Sequence, residues 1–251
     1  MNPAAFAPQN KTPAIIPLPA LQDNYVWLVR CGDECVAVDP GEAAPVRDYL
    51  ARHAVRLAAI LVTHHHHDHT GGVEALRAAH DAPVYAPAPQ QAGWQCVREG
   101  AQFALCGGAL HLTVWEIPGH TATHIGWLAR LRGLDAAHFF CGDTLFCAGC
   151  GRLLGGTAAQ LHQSLARIMA LPADTVLCPA HEYTLGNLAF AQHVEPDNPA
   201  RDAFLQEARA LREANRPTLP TTVAREAAIN PFVRAASLAR FAELRAQKDQ
   251  F

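Results

Sequence analysis

Apolar residues in this chain recur in two rhythms, one of strands and one of helices. YVWLVR (25–30) and CVAVDP (35–40) are rich in β-branched and aromatic residues, and the Gly32-Asp33 step between them predicts a hairpin. AAILVTH (58–64) has the length and unbroken apolarity of a buried strand. LHLTVWEI (110–117) alternates, with Leu110, Leu112 and Val114 facing one way and His111, Thr113 and Trp115 the other. HIGWLAR (124–130), AHFFCGD (137–143) and TVLCPAH (175–181) complete the strand set. Helical spacing occupies 42–54, VEALRAAH after Gly71-Gly72, and 157–170. Strands this apolar need cover on both faces. The pattern therefore predicts either two packed sheets with helices outside or one doubly wound sheet.

After about residue 184 the strand signals stop. Asn198 is placed to cap a helix with Pro199 at its first position. Phe204, Leu205, Ala208 and Leu211 follow on one helical face, and a last helix runs from about Ser237 to Lys248 with Leu238, Phe241 and Leu244 along it. The expected division is a larger unit at 1–183 and a small helical unit at 184–251.

Composition narrows the function classes. Half of the 251 residues are hydrophobic and 17% are charged, which is a globular balance. A net charge of −3 gives no electrostatic case for nucleic acid. No run reaches the ~20 apolar residues of a membrane span, and the proline-containing start MNPAAFAPQNKTPAII has no signal-peptide core. These features predict a soluble cytoplasmic protein without membrane partners, its eight cysteines reduced and mostly buried. The Cys147-Ala-Gly-Cys150 spacing could serve redox chemistry or zinc, but no second such pair accompanies it.

The outlying count is 14 histidines. Five lie in THHHHDHTGG (63–72), at the end of the predicted buried strand. The run is interior and continues into Asp-His-Thr-Gly-Gly, unlike a purification tag. Within it, His64, His66, Asp68 and His69 form H-x-H-x-D-H, while alternation in an extended chain turns His65 and His67 elsewhere. His120 in PGHT, Asp143 in CGDT and His181 in PAHE each follow an apolar strand in the same way. Five histidines and two aspartates suit borderline divalent metals such as zinc, iron or manganese. A closed structural zinc site would be rich in cysteine instead.

These motifs resemble the metallo-β-lactamase superfamily. The finer resemblance is to the glyoxalase II (hydroxyacylglutathione hydrolase) family, through DNYVWL (23–28), VDPGEA (38–43), PGHTATHIG (118–126), CGDTLFCAGCGR (141–152), PAHEYTLGNLAFA (180–191), Asn198-Pro199 and the terminal KDQF. The resemblance implies a four-layer αββα sandwich, the catalytic unit at 1–183, followed by a small C-terminal α-helical unit that binds glutathione. It implies that His64, His66 and His120 hold one divalent metal and that Asp68, His69 and His181 hold another. Asp143 and a hydroxide would bridge the two, with zinc the first expectation and iron or manganese the alternatives. Asp68 and Asp143 become the catalytic residues. Arg152, Tyr183, Arg245 and Lys248 become the contacts to a glutathione thioester. The implied reaction is hydrolysis of S-D-lactoylglutathione to D-lactate and glutathione by a monomer, in methylglyoxal detoxification. A lactonase, a β-lactamase or an iron persulfide dioxygenase of the same superfamily is the alternative. One departure stands out: Leu153-Leu154-Gly155-Gly156 replaces an aromatic-containing segment, so a tyrosine sometimes used for glutathione contact is Leu154.

Overall fold

The structure is a computed structural model that describes residues 12–87 and 92–251. Most of the proline- and alanine-rich start therefore lies outside the described residues. Among the described residues, no helix is long and apolar enough to cross a membrane.

The first sheet is ordered β1 (Ala14–Ala20), β2 (Asn24–Cys31), β3 (Glu34–Val38), β4 (Arg56–Leu61), β5 (Val84–Ala86) and β6 (Gln95–Cys96). Its first three strands are antiparallel, and β3 to β6 run parallel. The predicted hairpin joins β2 to β3, with Cys31 opposite Glu34 and Gly32 at φ 67° in the two-residue turn.

The second sheet begins with an antiparallel ladder of β7 (Gln102–Leu105), β8 (Leu110–Glu116), β9 (Ile125–Leu131) and β10 (His138–Gly142). A separate hairpin follows, β11 (Leu145–Phe146) with β12 (Gly149–Cys150). The chain then returns as β13 (Val176–Pro179), parallel to β10, and β14 (Thr221–Thr222) pairs antiparallel with β13. This last strand corrects the expectation that strands end near residue 184. Two residues are too few to leave a periodic signal.

The helices are α1 (Ala44–His53), α2 (His67–Thr70), α3 (Val73–His80), α4 (Ala158–Met169), α5 (Thr184–Val194), α6 (Pro199–Glu213), α7 (Val223–Ile229) and α8 (Leu238–Gln250). Thr157 and Gln160 form a reciprocal capping box on α4, and the Asn198 side chain accepts from the Arg201 N–H, as predicted for α6.

Three apolar cores stack between the layers. The middle one lies between the sheets: Trp27, Val36 and Leu61 meet Leu112, Trp127 and Phe140. On the outer face of the first sheet, Leu28, Ala37 and Ile60 meet Val46 and Leu50 of α1 and Leu76 of α3. On the outer face of the second, Phe139 and Leu177 meet Leu161 and Leu165 of α4 and Phe241 and Leu244 of α8. The architecture is αββα, and the doubly wound alternative is set aside. Leu238 departs from its expected inner face: it is 44% exposed at the first turn of α8. The C-terminal helices share these cores rather than enclosing one of their own, since Leu205 of α6 joins the middle core and α8 joins the outer one.

Candidate metal centre

The loops after β4, β10 and β13 leave the sheets at one end of the sandwich, and they carry His64, Asp143 and His181 to one place. His66, Asp68 and His69 follow on the short turn that becomes α2, and His120 arrives from the loop between β8 and β9. Two donor groups result. His64, His66, His120 and Asp143 have ligand-type atoms all within 4.8 Å of one another, as do Asp68, His69 and His181. Asp143 joins the groups: its Oδ2 is 3.5 Å from His120 Nε2, and its Oδ1 is 3.3 Å from both His69 Nε2 and His181 Nε2. Gly151 makes this approach possible, because a Cβ there would stand 1.9 Å from the Asp143 carbonyl oxygen. His65 and His67 are exposed and belong to neither group.

The hydrogen bonds behind the rings fix which nitrogen faces inward. A carboxylate or carbonyl oxygen only accepts. His120 Nδ1 lies 2.8 Å from the Arg152 carbonyl, His69 Nδ1 3.1 Å from Asp39 Oδ2, and His181 Nδ1 2.7 Å from Asp23 Oδ1. Each Nδ1 therefore carries a proton. The Thr63 hydroxyl donates to Asp39 Oδ2 and so accepts from His64 Nδ1. In all four rings Nε2 is left to face the centre. His64 Nε2 and His120 Nε2 approach His66 Nδ1 at 3.0 and 3.1 Å. Burial first, and then neighbouring imidazoles, lower the pKa of all three rings.

This donor set fits a metal. Three neutral ring nitrogens crowd together at about the separation, roughly 3.3 Å, that a tetrahedral sphere of 2.0–2.1 Å bonds imposes. His69 Nε2 and Asp143 Oδ1 are buried without a hydrogen-bond partner, a cost that interiors rarely leave uncompensated. The second group also concentrates charge. Burial opposes protonation of His181, but Asp143 and Asp68 outweigh it and raise its pKa to about 10. Burial likewise pushes the Asp143 carboxyl up, yet His69 and His181 hold it well below the ordinary carboxylate range.

Sequence reasoning passed over Asp23, Asp39, Thr63, Asn24 and His124. The Asn24 amide donates to Asp68 Oδ2 at 3.1 Å. His124 Nε2 accepts from the Asp143 backbone N–H at 3.1 Å, and its ring stacks on His64 at 4.7 Å. Asp23 and Asp39 lie in DNYVWL and VDPGEA, but nothing in a linear motif tells an outer hydrogen-bond partner from a turn residue.

The donors floor a cleft of about 710 Å³ whose other walls include Phe146, Arg152, Leu154, Tyr183, Arg245, Lys248 and Phe251. All four residues expected to touch substrate are thus at the cleft, in different conditions. Tyr183 stacks on His181 at 4.7 Å and 8°. The Arg152 side chain is 71% exposed. Lys248 donates to the Gly186 carbonyl at 3.2 Å, and burial followed by Arg245 and Arg152 lowers its pKa. Arg245 is buried: Nη1 donates to the Cys150 carbonyl and Nη2 to Asp249, each at 2.8 Å, while Nε has no partner. Leu154 is 53% exposed at the rim, and its N–H donates to the His120 carbonyl. Cys147 and Cys150 are buried, and burial raises both thiol pKa values, Cys150 to about 11. A redox or zinc-thiolate pair needs the opposite shift.

Comparison with known proteins decides the family. The sequence profile described as "Hydroxyacylglutathione hydrolase C-terminus" matches residues 182–251, and that of the "Metallo-beta-lactamase superfamily" matches 21–95. A hydroxyacylglutathione hydrolase of Chromohalobacter salexigens is 52% identical over 225 residues, covering 88% of this chain and 86% of that one. The chain belongs to the hydroxyacylglutathione hydrolase family. Among solved structures, ETHE1 from Myxococcus xanthus superposes with a TM-score of 0.69 at 26% identity, covering 93% of this chain and 90% of that one. TTHA1623 in a di-iron-bound form gives 0.59 at 25%, covering 87% and 99%. The fold built above is that of the metallo-β-lactamase superfamily, and its His/Asp cluster offers the donors of a divalent metal site.

Proposed function

We propose that this chain is a binuclear metal-dependent thioester hydrolase that cleaves S-(2-hydroxyacyl)glutathiones, S-D-lactoylglutathione foremost, to the 2-hydroxy acid and glutathione. The observation that carries the reading is Asp143, which joins two donor groups at the floor of a cleft with cations in its wall. His64, His66 and His120 would hold one cation, and Asp68, His69 and His181 the other, with Asp143 shared. Two divalent ions held there supply Lewis acidity and acidify a water enough to ionise near neutral pH. Zinc is the first candidate, and iron or manganese suits the same donors.

The chain's own groups do the rest. Asp39, Asp23 and the Arg152 carbonyl hold three imidazoles in the tautomer that presents Nε2. Asp68 has 41% of its side chain exposed, and its hydrogen bond to His181 is the main cause of its lowered pKa. Its carboxylate would stay ionised and orient the attacking water. A leaving thiolate whose conjugate acid has a pKa of roughly 8–9 departs without a dedicated general acid. Tyr183, Arg152, Arg245 and Lys248 would meet the glutathione moiety, whose two carboxylates call for cations and donors. In this reading residues 1–183 form the catalytic unit, which also brings Arg152 and Tyr183 to the substrate, and 184–251 form the glutathione-binding unit, in a cytoplasmic monomer serving the second step of methylglyoxal detoxification. A single-iron persulfide dioxygenase is not favoured, since one metal would leave a complete second donor group without a use, and a lactonase would have no use for cations that meet two carboxylates.

The test is turnover by one purified, metal-analysed sample of S-D-lactoylglutathione, a β-lactam and glutathione persulfide. Thioester hydrolysis abolished by a chelator and restored by a divalent cation is expected. Oxygen uptake with the persulfide and no thioester hydrolysis would replace the reading with the dioxygenase.

A further inference from the structure

Arg152, Arg245 and Lys248 bring three positive charges to the cleft. Among the described residues, Asp249 is the one carboxylate in ion-pair reach of any of them. Its Oδ1 lies 2.8 Å from Arg245 Nη2 and 3.8 Å from Arg152 Nε, a hydrogen bond with the first and a looser ion pair with the second. The other nitrogens of Arg245 are out of reach: Nη1 donates to the Cys150 carbonyl, and Nε is buried without a partner. Nη2 is therefore the position at which Arg245 can exchange partners. Helix physics gives Asp249 no reason to be there. It sits in the last turn of α8, where the helix macrodipole disfavours an acid. Its pair with Arg245 runs from base to acid at i and i+4, the less favourable order. A residue that breaks local rules at the edge of a site is expected to serve the site. Its side chain is 44% exposed, so one rotation about χ1 carries the carboxylate away.

We propose that Asp249 is a specificity-determining residue: its carboxylate holds Arg245 and Arg152 in the free enzyme and yields them to a carboxylate of the ligand. The inference rests on the glutathione thioester reading, which brings two carboxylates to the cleft. As the ligand settles, one of its carboxylates takes Arg245 Nη2, and Asp249 turns towards Arg152, whose side chain is 71% exposed, or to water. The exchange replaces one ion pair by another, so a ligand that carries a carboxylate loses little by displacing Asp249. A neutral ligand has nothing to set against the lost pair and leaves it closed. Once the thioester is cleaved, the returning Asp249 competes with the glutathione product and favours its release.

The test measures calorimetric binding of S-methylglutathione to the metal-loaded full chain. This ligand keeps both carboxylates but has no cleavable thioester and no free thiol for a metal. Asp249→Asn removes the charge while its amide oxygen can still accept from Arg245; Asp249→Ala removes both. Kd should fall about two- to fivefold in Asp249→Asn, the size of a half-exposed ion pair, and at least as far in Asp249→Ala. The diethyl ester of the same ligand, which lacks both negative charges, should bind all three proteins alike. An unchanged or raised Kd in the variants would assign Asp249 to orienting Arg245 and overturn the proposal, as would an equal gain with the diester. Should Asp249→Ala fold poorly, Asp249→Asn decides. Turnover of S-D-lactoylglutathione by the wild type keeps the two readings apart. Turnover without tighter binding in the variants sinks the role of Asp249 alone, whereas neither turnover nor binding sinks both.

Discussion

The floor and the rim of the cleft are built on opposite terms. At the floor, four of the five rings have a second hydrogen bond behind them, most donors are buried, and four loops and a short helix converge within a few ångströms. At the rim, Arg152 is largely in water, Lys248 hangs on one carbonyl, and Arg245 is buried but already spends its outer nitrogens on Cys150 and Asp249. A metal tolerates little error in donor position, so the floor is over-determined. A flexible tripeptide ligand can be met by side chains that settle as it arrives. The lesson is that chemistry and recognition fail differently: the floor through metal loss, the rim through KM.

Mutations can break or sharpen that contrast. Asp143→Asn should have the largest effect, since it removes charge shared by both donor groups. Turnover should fall by more than the 10- to 100-fold or so that outer partners typically cost, and metal content by mass spectrometry should drop with it; near-normal turnover would sink the bridging role. Asp39→Asn comes next. It leaves every donor in place but loosens His69 and Thr63, and a loss of about 10- to 100-fold in metal affinity or kcat is expected. If metal titration showed no change, the floor would not be over-determined by its outer partners. Lys248→Ala should act on the rim alone, raising KM for S-D-lactoylglutathione by about tenfold, one charge-assisted hydrogen bond's worth, with metal content unchanged. An equal loss on a small thioester without glutathione would place Lys248 in the chemistry. Leu154→Tyr is the mildest change, adding a hydroxyl at the cleft's edge. A KM lower by about three- to tenfold is expected from one neutral hydrogen bond of roughly 1 kcal/mol. A higher KM would mean that the rim is already fitted to leucine.

The same contrast explains what the sequence made legible. The seven floor residues sit at strand ends in compact motifs, because a loop leaving a buried strand has a short, fixed reach. Most strands showed themselves for a related reason, their burial being periodic. Strand β1 did not, because Pro17 and Pro19 argue against a strand until it is known to pair on one side only, with β2. Helix α5 was hidden by burial around much of its circumference, including Thr184, Asn187, Leu188 and Phe190, which leaves no polar face to mark the period. The outer partners were illegible for a different reason. Asp39 reaches His69 across 30 positions and Asp23 reaches His181 across 158, and only the fold makes them neighbours.

Strand β14 is two residues long, yet it seals the edge of the second sheet by pairing with β13. A chain cut after residue 183 would present Val176, Leu177 and Cys178 as an open, apolar strand edge, a template for pairing with other molecules. During synthesis that edge stays uncapped until α5 and α6 have left the ribosome and β14 follows them. The expected outcome of premature termination is therefore aggregation rather than a smaller, unspecific hydrolase, and protein quality control would meet this chain at its last strand.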